Sequence, residues 1–340
     1  MNRFEYIAAD SVEQAIAFLG EDWQSRILAG GTDLMHEIRH GIIAPARLVN
    51  IKGIPTLNTA IREENGAVVI SALARLSELE QSALVRERLP LLAQAAAAAA
   101  SPQLRNMGTI AGNICQRPRC WYYRHPEFPC LRKEGKRCFA VAGENRYHAV
   151  LGGGPCHIVC PSDMAPALVA LDAQLRIAGS DSKKEKIERV VAIQDFFVGP
   201  RENLYRENIL EPHELITEIR VLNAVPENRP GDRSAIHAIF LKVRERNSWD
   251  FALASVAARL TFEGGVVRSS RIVFGGVAPV PWRSALAEKA IQGRTLEQST
   301  RKAASDAAVS ACRPMRGNAY KVDIIRNLVA KALASAAAGR

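Results

Sequence analysis

The chain has 340 residues, 48% hydrophobic and 24% charged, with a net charge of +10 at neutral pH. That length supplies roughly two domains of about 100–200 residues each, and the composition is that of a globular protein with a sizeable core rather than a disordered one. The longest apolar stretch, residues 91–100, contains Gln94 and falls well short of the roughly 18 residues of a membrane span; the opening residues have no apolar secretory segment; and the basic residues are mixed with acids, without the aromatic–basic pattern or finger spacing of a nucleic-acid reader.

The expected setting is therefore the cytoplasm. Residues 11–19 read as a helix, with Ser11 as N-cap and Val12, Ala15, Ile16 and Leu19 on one face. Residues 26–29 form a short strand that runs into Gly30-Gly31-Thr32-Asp33, then a helix at 34–40 and a strand at 47–51, a compact βαβ-like unit. A strand at 67–73 follows. A helix starts at 77–80 and, after a break near Pro90, continues through 91–100. A second glycine turn, Thr109-Ile110-Ala111-Gly112-Asn113, is preceded by Arg105-Asn106-Met107-Gly108.

Six of the seven cysteines lie between Cys115 and Cys160. Beyond them the pattern gives a short strand at 157–159, a helix at 164–171, strands at 174–177 and 190–193 around a charged turn at 182–186, and a strand at 215–221. Pro226-Glu227-Asn228-Arg229-Pro230-Gly231 is rich in turn formers and reads as a linker. Strands at 236–243, 255–262 and 266–274 and helices at 285–291, 296–311 and 321–337 then make an antiparallel sheet covered by helices, an α+β domain.

Each glycine turn has a chemical use. Glycines let the backbone turn tightly and bring N–H groups to an anion without a Cβ in the way. The following helix N-terminus adds partial positive charge, and Thr32 adds a hydroxyl. A single Gly-Gly turn is equally well a plain turn. Two of them grip a pyrophosphate only if they are neighbours in space.

Ala-Gly-Gly-Thr-Asp-Leu at 29–34, Thr-Ile-Ala-Gly-Asn at 109–113 and Pro-Ser-Asp at 161–163 resemble, in order and spacing, the FAD-binding subunit of molybdenum hydroxylases, such as the medium subunit of carbon monoxide dehydrogenase and the flavin portion of xanthine dehydrogenase. Asp195-Phe196-Phe197, Glu214-Leu215-Ile216, Lys242-Val243-Arg244 and Asp250-Phe251-Ala252 extend the likeness over nearly the whole chain. The resemblance implies an α+β fold. A vanillyl-alcohol-oxidase (PCMH)-type FAD-binding domain of two α/β subdomains would cover residues 1–225, with a Cys-rich insertion at about 114–160. A small α+β domain like that of carbon monoxide dehydrogenase flavoprotein would cover 228–340. By position, the resemblance puts FAD on Arg26, Ile27, Leu28, Ala29, Gly30, Gly31, Thr32, Asp33 and Leu34 and on Gly108, Thr109, Gly112 and Asn113. It puts Asp163 near the ribose and pyrophosphate, and Ile216 and Lys242 near the isoalloxazine. An apolar Ile216 suits a ring face, and a lysine suits the electron-rich edge of a reduced flavin.

The crowded cysteines admit disulfides, a metal centre or chance. A reducing compartment and a large core argue against disulfides. Zinc favours paired Cys-x2–4-Cys hooks, and here Cys-x4-Cys and Cys-x3-Cys occur only at the two ends. An iron–sulfur cube tolerates longer, irregular spacing. The insertion resembles those of 4-hydroxybenzoyl-CoA reductase and, more closely, of the periplasmic aldehyde oxidoreductase of enteric bacteria, through Gln103-Leu104-Arg105-Asn106, Gln116-Arg117-Pro118-Arg119-Cys120, Pro129-Cys130, His148-Ala149-Val150 and Pro161-Ser162-Asp163. That likeness implies a [4Fe–4S] cluster on Cys120, Cys130, Cys138 and Cys156. Cys115 and Cys160 are then spare, or either replaces one of the four, while Cys312 belongs to the core. Between Arg117 and Arg146, eight Arg or Lys against three Glu partly offset the negative charge of such a cluster.

The implied protein is an FAD and [4Fe–4S] electron-transfer subunit of a heterotrimeric molybdenum hydroxylase, with no catalytic residue of its own for the organic substrate. Its implied partners are a large subunit with the molybdenum cofactor, a small subunit with [2Fe–2S] clusters, and an external electron acceptor. Aldehyde oxidation is the expected setting, with a 4-hydroxybenzoyl-CoA-reductase-like complex as the alternative. From other classes, a free-standing FAD oxidase with a structural zinc site and a basic nucleic-acid binder remain. Co-export with a partner subunit would move the complex to the periplasm.

Overall fold

The computed structural model describes residues 2–58, 61–181, 185–222 and 234–338. Its first unit is a parallel sheet in the order β1-β3-β2, built from β1 (Glu5–Ala8), β2 (Ser25–Leu28) and β3 (Arg47–Asn50). Helix α1 (Val12–Leu19) packs on it, with the Ser11 hydroxyl accepting from the Gln14 amide at 3.1 Å and Val12, Ala15, Ile16 and Leu19 buried, as the periodicity predicts. Helix α2 (Leu34–Arg39) follows the glycine turn. Strand β1 was not expected, and the segment 157–159 is not a strand. It is an extended piece whose His157 carbonyl accepts from the Ala149 amide and whose neighbour Cys160 donates to the Ala278 carbonyl.

The second sheet has the order β4-β5-β8-β6-β7 and is antiparallel throughout. Its strands are β4 (Arg62–Glu64), β5 (Ala67–Ser71), β6 (Gln174–Ser180), β7 (Lys186–Ala192) and β8 (Leu215–Val221). β5 is buried along its whole length, as expected of a central strand carrying Ala-Val-Val-Ile-Ser. Helices α3 (Leu76–Gln81), α4 (Ala83–Arg88), α5 (Pro90–Ala98), α6 (Pro102–Arg105), α7 (Ile110–Ile114), α8 (Trp121–Arg124) and α9 (Met164–Ala170) complete this half. The alanine run lies on α5, where the small side chains let it approach α9 and the following domain.

The third sheet runs β12-β11-β10-β9, from β9 (Ser234–Val243), β10 (Ala254–Glu263), β11 (Val266–Gly275) and β12 (Trp282–Arg283), all antiparallel. Helices α10 (Ala285–Ile291), α11 (Gln298–Val309) and α12 (Tyr320–Ala338) bury its other face in a core of its own, which includes Cys312. The expected linker at 226–231 and the tip of the charged turn, 182–184, lie outside the described residues.

Candidate functional site

The two glycine turns touch. A Cβ on Gly30 would stand 2.1 Å from the Met107 carbonyl oxygen and 3.2 Å from the Gly108 Cα, so only glycine permits this approach. Gly31 has a φ of +71°, the left-handed conformation that glycine adopts without strain. The second turn is fixed from behind: the Leu76 amide donates to the Gly108 carbonyl at 3.0 Å and the Ile110 amide to the Ala74 carbonyl at 2.8 Å. The Thr109 hydroxyl caps α7 by accepting from the Gly112 amide at 3.2 Å.

Around this junction opens a cavity of about 770 Å³, within the range of about 300–1,000 Å³ usual for small-molecule sites. Of the sixteen residues expected to hold FAD, it brings together all except Leu28 and Lys242. Ile216, on β8, is 4% exposed and presents an apolar wall. Asn113 is oriented by Ser162, whose hydroxyl donates to its amide oxygen at 2.6 Å. The glycine junction, the apolar wall and the volume fit a dinucleotide of the size of FAD.

Lys242 lies one layer behind. Its ammonium donates to Asp163 at 2.7 Å and to the Ala98 carbonyl at 3.1 Å. The two side chains are 3% and 7% exposed. Burial pushes the Asp163 carboxyl above its ordinary range, and Lys242 pulls the other way. Only Asp163 of this pair reaches the cavity.

Asp33 also departs from simple capping. Its side chain makes no cap hydrogen bond to α2. Instead it accepts from the Arg117 amide at 2.7 Å and from the Arg124 guanidinium at 2.9 Å, and pairs with Arg119 at 3.0 Å. Glu37, one turn on and 3% exposed, accepts from the Tyr123 hydroxyl at 2.8 Å. The Cys-rich insertion is thus docked onto the first glycine turn through its arginines.

Within that insertion Cys120, Cys130, Cys138 and Cys156 line one small cavity together with Tyr122, Tyr123, Leu131, Arg132, Phe139 and Ile158. Cys115 faces the larger cavity instead, and Cys160 packs in the main core; burial pushes both thiols up to about 12. All seven cysteines are free thiols. Burial raises Cys120 to about 11, against the pull of the Tyr123 and Tyr122 amides. Cys138 is lowered to about 5, chiefly because Cys156 donates a hydrogen bond to it, and Cys156 is raised for the same reason. His148 Nε2 lies 3.2 Å from Cys120 Sγ, and burial depresses its imidazole to about 4, so it stays neutral. Among the described residues, no three His, Cys, Asp or Glu side chains converge as they would on a single metal ion. The four thiols line one cavity without converging on a point; in an iron–sulfur cube each thiolate binds a different iron.

The far side of the insertion is held by the last domain. Asn318, fully buried, donates to the His148 and Ala149 carbonyls at 3.1 and 3.2 Å. Lys321, also fully buried, donates to the Tyr147 and Gly276 carbonyls at 2.9 and 2.8 Å.

Several lining residues were not anticipated. Trp23, Tyr205, Arg206, Glu207, Trp249 and Phe251 all face the larger cavity from loops or turns. Asp250-Phe251 was visible as a motif, without an assigned place. Trp249 is 69% exposed, and the Arg119 guanidinium lies 4.8 Å over the Phe251 ring; the cavity is thus lined from both parts of the chain and from the Cys-rich segment.

Residues 2–222 match the FAD binding domain in molybdopterin dehydrogenase, and residues 239–336 match the carbon monoxide dehydrogenase flavoprotein C-terminal domain. The chain is 32% identical to the aldehyde oxidoreductase FAD-binding subunit PaoB of Escherichia coli (strain K12), over 99% of each protein. It is also 32% identical to the carbon monoxide dehydrogenase medium chain of Hydrogenophaga pseudoflava, over 98% of this chain and 97% of that one. The solved structure of carbon monoxide dehydrogenase from that organism, lacking the Mo-pyranopterin moiety, superposes with a TM-score of 0.76 at 31% identity, covering 99% of this chain and 98% of that one.

Proposed function

Since the chain belongs to the FAD-binding medium subunits of the molybdenum hydroxylase family, we propose that it works as the FAD and [4Fe–4S] electron-transfer subunit of a three-subunit aldehyde-oxidising complex. The observation that carries the flavin half is the junction of the two glycine turns, with Gly30 against Met107 and Gly108 at the head of one cavity. The observation that carries the cluster half is that these four thiols line one second cavity together. When bound, FAD would accept and release electron pairs and the cluster would relay single electrons.

The chain's own residues bind and position. Residues 29–34, with Gly108, Thr109, Gly112 and Asn113, would hold the pyrophosphate by backbone N–H groups and hydroxyls, and Arg26 and Ile27 extend that wall. Asp163, fixed by Lys242, would meet the polar middle of the cofactor, and Ile216 would cover the ring. Lys242 would act through Asp163 and not by direct contact. Cys120, Cys130, Cys138 and Cys156 would hold the iron, while the Tyr122, Tyr123 and Phe139 rings exclude water. No residue here is assigned to oxidise the organic substrate. That work falls to a large subunit with the molybdenum cofactor, and a small [2Fe–2S] subunit would pass electrons to this one. The aldehyde assignment rests on the full-length likeness to an aldehyde oxidoreductase subunit.

Purified chain tests the reading. Flavin absorption together with roughly four irons and four sulfides per chain is the expected result. Zinc without iron refutes the cluster half, and protein that neither carries nor takes up FAD refutes the flavin half. Co-purification with two partner subunits, and the fraction of the cell in which the assembled complex sits, test the assembly and the cytoplasmic assignment.

A further inference from the structure

One guanidinium stands between the two cavities. Arg132 lines the thiol cavity and is 5% exposed. Its Nη2 is paired with Glu207, and Glu207 lines the larger cavity. Its two other nitrogens, Nε and Nη1, are buried with no hydrogen-bond partner. Burying a cation with idle N–H groups is costly, and native interiors keep few such donors without a reason. Apart from the four thiols, the side chains sharing that wall are aromatic or aliphatic. The Tyr123 ring already lies 5.9 Å from the guanidinium, and its hydroxyl is committed to Glu37. The idle donors thus belong to a residue that shares its cavity with four cysteine sulfurs.

Resting on the cluster reading above, we propose that Arg132 is a positioning residue that donates through Nε and Nη1 to the sulfurs of the [4Fe–4S] group and, through Glu207, couples the charge of that group to the flavin cavity. Hydrogen bonds to cluster sulfur and a nearby positive charge both favour the added electron. Glu207 opposes them, since its carboxylate partly neutralises Arg132. It is itself shared with Arg117, which approaches it at 2.8 Å from the wall of the larger cavity. The two members of the pair therefore act on the cluster with opposite sign. Because Glu207 lines the larger cavity, its charge also reaches the flavin.

The test is a redox titration of the full chain carrying FAD and iron, with the cluster read by electron paramagnetic resonance and the flavin by absorbance. At a fixed potential, Arg132→Met is expected to lower the cluster's reduced-to-oxidised ratio by about tenfold or more, equivalent to about 59 mV for a one-electron centre. Glu207→Gln is expected to raise that ratio and to raise the flavin's as well. Arg132→Lys, which keeps the charge but loses the second N–H edge, should hold iron with a smaller fall, and it carries the test if the methionine variant binds no iron. Unshifted cluster midpoints, or shifts of one sign in both Arg132 and Glu207 variants, overturn the proposal while leaving the cluster reading in place. Wild-type protein without iron sinks both.

Discussion

Gly30→Ala offers the sharpest test of the flavin site. The new methyl would sit 2.1 Å from the Met107 carbonyl oxygen, where ordinary contact begins at 3.4 Å, so the turns must part by 1.3 Å (3.4 minus 2.1). Neither partner is a side chain that can swing away. Overpacking typically costs about 1–3 kcal/mol. Parting the turns also strains the Leu76 N–H to Gly108 carbonyl bond, worth about another 1 kcal/mol. A total of about 2–4 kcal/mol, if it falls on the state that binds cofactor, weakens FAD roughly 30- to 1,000-fold. The assay is fluorescence titration of flavin-stripped protein with FAD, beside a thermal melt. Gly53→Ala is the control: its methyl would meet nothing nearer than the Ala9 carbonyl oxygen at 3.9 Å, so affinity should stay as in the wild type. Gly30→Ala protein that binds FAD within about twofold of wild type, and melts with it, would refute the idea that both turns grip one ligand.

Three further outcomes follow from the same geometry. Cys130→Ser should strip the iron measured in purified protein, and Cys160→Ser should leave it; the reverse would overturn the ligand assignment. Lys242→Met strands the buried Asp163 carboxylate and should cost about 3–5 kcal/mol in urea unfolding, whereas adding Asp163→Leu should recover most of that. Equal losses in the single and double variants would show that the pair is not the unit. Burial drops the Lys321 amine from an ordinary 10.5 to about 7, and a neutral amine keeps two N–H groups for the two carbonyls it meets. Between these values the unfolded chain binds the extra proton, so stability should rise with pH from about 7 to about 10.5. Lys321→Met should flatten that rise in pH-dependent unfolding, and an unchanged slope would contradict the buried neutral amine.

Much of this architecture was legible because it is written locally. The Ser11 cap, the apolar face of α1 and the three long strands β9, β10 and β11 each depend on residues a few positions apart. Strand β1 was not, since its hydrogen bonds come from β3, some forty residues on, and its own residues are mostly exposed. The segment at 157–159 has strand-like residues but spends its backbone groups on loops. At the site, the glycine turns are visible as motifs, while their contact is a tertiary fact. Lys242 illustrates the limit well: its ammonium is bonded to Asp163, 79 positions away, a contact that no local pattern carries. Trp249, Tyr205 and Glu207 carry no periodic signal because loops place them.

The insertion's second anchor has a consequence for the order of events at the ribosome. The arginines that fix the insertion to Asp33 and Glu37 find their partners as soon as residue 124 is made. The donors that hold residues 147–149, Asn318 and Lys321, come almost two hundred residues later. A nascent chain therefore carries the four thiols half-fastened until its last helix emerges, and closing the thiol pocket and completing the final domain become a single step.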